Sequence, residues 1–465
     1  VSEPHGEEAA SEGPLDPGGL DEGRHRRQPG SGTDFGIEDV LHNPPAGPVT
    51  KHSVKTSARR SPWNRQRDRV IAAVIFVVVL AAGLLGWATS ETRATTDALS
   101  PAAPAAPPAP PAVPGSMTPI WQFPSRATPV PIADGNNVVT ADNGEVAGRD
   151  PLTGQIRWHY SRDLPLCTVD SAWSRVNAVY AKTGVDGQGG CSEVTQLDPA
   201  TGRRTAQRNG DAEFGTQLVG DGTYVTTTGK KLLDTWRNDL VETMEYGTVV
   251  ATVQPGRQPR TGCTYGSVAA SGGKIGVIER CAGDPADRLT VYNATADDSD
   301  NPKVVFSSIV AGKSAKLVAM SGDNSAVALP DKKLLVIYGP DGNQKAAYPL
   351  DLPASDLAQD PASGVMTTSR TADSVYWFTG SKTVALSLDT LTPRWTLNSA
   401  VGPGVTFAGQ LVIAIKGGLA VLNPADGSTI RTVGVDRGTY TGPVLLNSMG
   451  PVLLEQRGGV LAALK

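Results

Sequence analysis

Four cysteines, one histidine and one acidic run are the residues whose types and spacing could do chemistry in this chain. Cys167, Cys191, Cys263 and Cys281 all follow a single long apolar segment, and no cysteine precedes it. An even count confined to one side of a hydrophobic span is the pattern of two disulfides formed in an oxidising compartment, and the spacings do not fit zinc ligation. His159 is the sole histidine after the apolar segment, the other four lying before it. That excludes any site there needing two imidazoles and leaves a Ser-His-Asp relay dependent on one residue, so His159 reads as a surface or interface side chain. Asp297-Asp298-Ser299-Asp300 gathers carboxylates as a hard cation requires, yet lacks the glycine and distal glutamate of an EF-hand loop. It reads as a solvated acidic turn. No catalytic, cofactor-binding or metal residue is therefore assigned, and the chain is expected not to be an enzyme.

These residues are carried by a chain of sharply different segments. Residues 1 to about 50 are rich in Gly, Pro, Glu and Asp and too poor in apolar side chains to offset the entropy of folding. Lys51, Lys55, Arg59, Arg60, Arg65, Arg67 and Arg69 then reverse the charge. Val70 to Ala88 holds no charged residue, and about 19 residues at ~1.5 Å each match a ~30 Å hydrocarbon core. The basic run before it places the N-terminus in the cytoplasm and the remainder outside the plasma membrane of a bacterium. A cleaved signal peptide is the competing reading, though the stretch is long for one and starts about seventy residues in. Ser100 to Gly115 is almost all Pro and Ala, which favours polyproline II and a stiff stalk of roughly 45 Å. The expected domains are a disordered tail with its basic run (1–69), a transmembrane helix (70–88), a stalk (89–118) and an extracytoplasmic domain (119–465).

After residue 119 a unit of short strands and tight turns recurs. The turns include Asp150-Pro151-Leu152-Thr153-Gly154 before Trp158, Asp198-Pro199-Ala200-Thr201-Gly202, Gly339-Pro340-Asp341-Gly342, Asp389-Thr390-Leu391-Thr392-Pro393 before Trp395, and Asn423-Pro424-Ala425-Asp426-Gly427. In a full copy the first side chain caps the turn, Pro presets φ near −65° and Gly supplies the left-handed position. Weaker copies end at Trp236 and Tyr292. Trp158 and Trp395 read as packing between repeats. Ile120 to Phe123 is a strand with no hairpin before it, and Gly459 to Leu464 a hairpin arm with no strand after it. Joining these orphans closes a ring without edges, and eight units of about 43 residues fit four-stranded blades. The expected fold is all-β, an eight-bladed antiparallel β-propeller. On this register Cys167 pairs with Cys191 and Cys263 with Cys281, each within one blade and both at the same end of the ring. Arg257, Arg260 and Arg280 flank the second pair and are expected to belong to a partner-binding face.

The turn pattern, A-x-D-x-x-T-G-x-x-x-W, resembles the PQQ-like propeller repeat shared by quinoprotein alcohol dehydrogenases and BamB-type envelope lipoproteins. Val146 to Trp158 is its nearest copy, with Lys382 to Trp395 and Leu419 to Arg431 weaker. The resemblance implies the fold over most of 120–465. The dehydrogenases hold PQQ beneath adjacent cysteines and bind calcium on the axis; no Cys-Cys pair exists here, so the cofactor is not carried over. Nearly balanced charge beyond residue 119 gives no electrostatic reason to expect nucleic acid. The expected function is non-catalytic recognition of, or scaffolding for, an unknown envelope protein. The alternatives are a signalling receptor ectodomain coupled to the tail, or a carboxylate-based hydrolase or lyase at the axis.

Overall fold

The computed structural model describes residues 65–90, 93–183, 189–250, 252 and 254–465. The acidic tail and most of the basic run lie outside the described residues. Helix α1 spans Gln66–Ala88, is apolar throughout its last nineteen residues, and is long and apolar enough to cross a membrane.

Residues 119–464 form eight four-stranded antiparallel sheets, the blades of a propeller. In chain order blade 1 covers 132–162, blade 2 166–209, blade 3 218–247, blade 4 264–309, blade 5 316–349, blade 6 368–397 and blade 7 400–434. Blade 8 takes its three inner strands from 444–464 and its outer strand from Pro119–Pro124, so the ring is closed as the orphan strands required. The four strands of a blade run outward from the axis. Turns between strands one and two, and between three and four, share one face of the ring, the turn face. The hairpins between strands two and three, and the connections from blade to blade, share the other, the connection face.

Side chains alternate across each strand, so each blade is apolar on both sides and must be covered twice. The core is accordingly eight separate clusters, each wedged between consecutive blades. Val139, Trp158, Val176 and Tyr180 form the one between blades 1 and 2, for example, and Trp121, Val138, Leu454 and Leu461 the one across the seam.

The turn chemistry and the packing are one device. Trp158 stands in the outer strand of blade 1, donates its indole N–H to Pro199 O at 2.9 Å in the turn of blade 2, and lies over Gly202. A Cβ on Gly202 would sit 2.8 Å from that ring, and the residue has φ +76°, so glycine is demanded twice. Trp395 of blade 6 repeats the contact on Pro424 O at 2.9 Å and Gly427 of blade 7. Trp121 makes it across the seam, to Pro151 O at 2.9 Å and over Gly154 of blade 1. The turn of blade 6 differs from the sequence reading: its closing bond runs from Leu391 N–H to Ser387 O, two residues earlier than expected. Leu391 takes the left-handed φ of +58° that glycine takes elsewhere. Its side chain is fully buried between blades 5 and 6, and that burial offsets the backbone strain.

The Pro/Ala segment corrects the stalk expectation. Instead of leading away from the propeller, it is strapped to it. Thr95–Ala98 pairs with Ile156–Arg162 as a fifth strand on blade 1. Ser100 N–H then donates to Thr201 O of blade 2 at 3.1 Å, and Gly450 of blade 8 lies so near Pro107 that a Cβ would be 2.2 Å from its carbonyl oxygen. Val113 N–H donates to Gln410 Oε1 of blade 7 at 3.0 Å, and Arg431 donates to the carbonyls of Val113 and Pro114. Val113 and Met117 are buried in the core between blades 7 and 8. Proline suits this path because a strap needs few backbone donors and a preset extended conformation.

Trp121→Ala should destabilise the ring by about 3–5 kcal/mol, the usual cost of emptying a buried indole site. A chain starting at residue 126 loses the whole outer strand, exposes the edge of Val460–Leu464 and should aggregate. Thermal melting and size-exclusion chromatography check both; unchanged melting would refute closure by this strand.

Candidate partner-binding face

Cys167 begins the inner strand of blade 2 and Cys191 lies at the start of its third strand; they are bonded, with Cα atoms 6.0 Å apart. Cys263 precedes the inner strand of blade 4 and Cys281 follows its second; these are bonded too, at 4.3 Å. Strand direction puts all four at the connection face. Residues 186–188 of the loop Asp186 to Cys191 lie outside the described residues, whereas Cys281 to Asp287 is held by Arg288, which grips Asp284 through two 2.7 Å bonds.

The three arginines near the second disulfide differ in their surroundings. Arg257 is exposed. Arg260 turns inward to the fully buried Glu279 at 3.0 Å and also donates to Thr290 and Ser307 at 2.9 Å. Arg280 donates to Asp360 at 2.5 Å and pairs with Asp287 at 3.3 Å. Replacing Arg260 or Arg280 by Glu would place like charges together and cost stability. The residues sequence reasoning missed are their acceptors, since Asp360 is eighty positions from Arg280 and no local spacing links the two.

Asp360 belongs to the long connection between blades 5 and 6, which dips across the axis. Lys316 of blade 5 also donates to it at 2.7 Å; Ser363 O accepts from Thr228 of blade 3, and Gly364 O from Val268 N–H of blade 4. Burial pushes the Asp360 carboxyl up, but the Arg280 and Lys316 hydrogen bonds outweigh it and hold it below the usual carboxylate range. The connection thus floors a cavity of about 390 Å³ on the axis, lined by the inner strands of blades 3 to 6. Arg370 lines it, donating to Met320 O at 2.7 Å.

A second recess, of about 210 Å³, opens on the connection face beside the first disulfide, between Gly190, Glu213, Lys231 and Val250. Phe214, at 66% the most exposed aromatic ring of the propeller, stands at its edge over Gly189. His159 lies in the outer strand of blade 1, paired with Ala98 and Ala147 as a half-buried strand residue. The acidic run is used structurally: Asp300 accepts from Gln254 N–H at 3.1 Å and Asp297 pairs with Lys303 at 2.9 Å.

The most perturbed carboxylates lie in blade 3. Asp234 and Glu245 face each other across two strands of blade 3. Asp234 is fully buried. Burial, then the charges of Glu242 and Asp211, push Asp234 up to about 8; burial, then Glu242 and Asp234, push Glu245 up to about 8.

An eight-bladed ring whose outer-strand tryptophans dock on the turns of the next blade is similar to propellers built from the PQQ-like repeat. The family model for the outer membrane protein assembly factor BamB matches residues 118–260, the closing strand and the first three blades. Among solved structures, BamB from Moraxella catarrhalis is 15% identical, with 75% of this chain and 99% of that one covered at a TM-score of 0.44. The computationally designed Ika8 protein is 11% identical over 75% of this chain and 99% of its own, with a TM-score of 0.50. The quinohemoprotein alcohol dehydrogenase ADHIIG from Pseudomonas putida HK5 is 11% identical over 76% of each chain, with a TM-score of 0.48. Likeness at these identities is one of fold. No curated protein matches the sequence.

Two outcomes follow. Because folding raises the affinity of Asp234 and Glu245 for protons, their contribution is complete below pH ~4 and is lost as pH climbs through about 8. Denaturant midpoints should therefore fall from pH 5 to pH 8.5, by about 1.4 kcal/mol per pH unit for each extra proton held by the native state. Asp234→Asn should flatten that slope; an unchanged slope would show that other groups set it. Separately, the bonds close loops of 24 and 18 residues. Replacing either pair by alanine should cost about 3 kcal/mol, measured by denaturation of each double variant.

Proposed function

We propose that this protein is a non-catalytic recognition or scaffold protein of the bacterial cell envelope that binds a protein partner through its connection face. The observation that carries this reading is the asymmetry of the ring. The turn face is crossed by the strap from blade 2 to blade 7, whereas the opposite face carries both disulfides and the exposed Phe214. Loops pinned by covalent bonds lose little entropy on docking, and a rigid exposed aromatic beside a recess is the side chain that most often dominates an interface. The match to a model named for an assembly factor supports a role in protein assembly. On this reading α1 spans the plasma membrane with its basic end in the cytoplasm, and the cysteines oxidise outside it.

The test is photocrosslinking of the full chain in its own envelope, with a photoreactive residue at position 250 and, as control, at Ile430, which is 60% exposed at the turn-face end of blade 7. A defined protein adduct is expected at 250 but not at 430. Phe214→Ala should reduce it at least fivefold without changing the melting temperature. Equal capture at both positions, or indifference to Phe214→Ala, would remove the assignment of this face.

A further inference from the structure

The connection face has another recess, between blades 7 and 8, that the partner reading does not use. It measures about 450 Å³, within the range of ~300–1,000 Å³ typical of small-molecule sites. Its walls are Val401, Ile415, Val435, Tyr440 and Val444, and Arg437 lines it as well. Lys416 and Asp436 stand at its solvent-exposed rim, where their opposite charges offset each other.

Beneath the apolar walls the charges do not balance. Glu455 is fully buried and carries two guanidinium groups: Arg437 at 2.7 Å and Arg457 at 2.7 Å, whose side chains are 6% and 8% exposed. Two cations on one carboxylate leave one buried positive charge in excess, an arrangement costly in a low dielectric unless an anion completes it. Four of the five N–H groups of Arg437 are committed, through Nε and Nη2 to Glu455, through Nη2 to Gly418 O and through Nη1 to Ile415 O. One Nη1–H remains. Arg457 meets Glu455 through Nε and Nη2, both 2.7 Å from the same carboxylate oxygen. Tyr440 separates the recess from the turn that follows Arg457: its hydroxyl donates to Pro443 O at 2.6 Å and its ring lies against Gly458.

We propose that this recess binds an apolar-bodied monocarboxylate, its hydrocarbon part between Val401, Val435 and Val444 and its carboxylate drawn to the excess charge at Arg437. A free acid and the C-terminal residue of a peptide share that chemistry. The recess would reject the corresponding amide, which brings no charge, and a dication, which adds to the excess.

The test is calorimetric titration of the full chain in detergent with N-acetylphenylalanine, with N-acetylphenylalaninamide, and with a hexapeptide ending in a free phenylalanine. The acid should bind at least tenfold tighter than the amide, and added salt should narrow the gap. A peptide tenfold tighter than the single residue identifies a chain terminus as the source; equal affinity identifies a free acid. Arg457→Met removes the excess charge without touching the walls and leaves Glu455 paired with Arg437. Thr441→Trp, at an exposed position of the mouth, fills the opening. Each should lower the acid's affinity at least tenfold, Thr441→Trp with an unchanged melting temperature and Arg457→Met in protein shown to be folded by its cooperative melting. Equal affinity for acid and amide, binding that survives both variants, or no heat with any probe at millimolar concentration would overturn the proposal. None of these outcomes bears on the crosslink at position 250, which tests the other recess.

Discussion

An indole laid over the turn of the neighbouring blade is the contact through which this ring holds its shape. One side chain does three things there: it covers apolar surface, satisfies a proline carbonyl with its N–H, and forbids any residue but glycine beneath it. Trp158 and Trp395 do this between blades that the chain itself connects. Trp121 does it where the chain does not, since its strand and the turn it covers meet only when the ring closes. The seam is therefore built like any other interface, and the edge of Val460–Leu464 is covered.

Nearer the connection face the interfaces become electrostatic. Glu193, Glu279 and Glu455 are each fully buried and each met by at least one cation: Arg162 and Lys182, Arg260, and Arg437 with Arg457. Such groups add little net stability when complete but penalise heavily the loss of one partner. They give this face a fixed register, and the connection that floors the axial cavity is fixed by the same means, with Asp360 held between blades 4 and 5.

The sequence was most informative where backbone chemistry is local. Asp-Pro-x-Thr-Gly turns, orphan strands and cysteines at equivalent blade positions are all read from a few consecutive residues, and they fixed blade number, closure and both pairings. Reading failed where a contact depends on tertiary proximity. Leu391 occupies a glycine's conformation because blades 5 and 6 bury its side chain, which no composition rule shows. The Pro/Ala segment looked like a spacer because its composition specifies an extended chain; what that chain lies against is decided by Gln410, Arg431 and the hole that Val113 fills. Arg260 and Arg280 looked like surface charge because their acceptors come from other strands and another blade.

The strap has a mechanical consequence. Tension arriving along the chain from α1 does not reach the seam directly. It meets first the short strand Thr95–Ala98, then the scattered contacts of Ser100 and Val113, then the buried side chains of Val113 and Met117. Only after these have yielded is Pro119–Pro124 loaded. At ~3.4 Å per residue, the segment from 95 to 118 spans at most about 80 Å once released, and its slack is that length less the distance it already covers. It acts as a sacrificial tether, absorbing extension in stages while the propeller behind it remains closed.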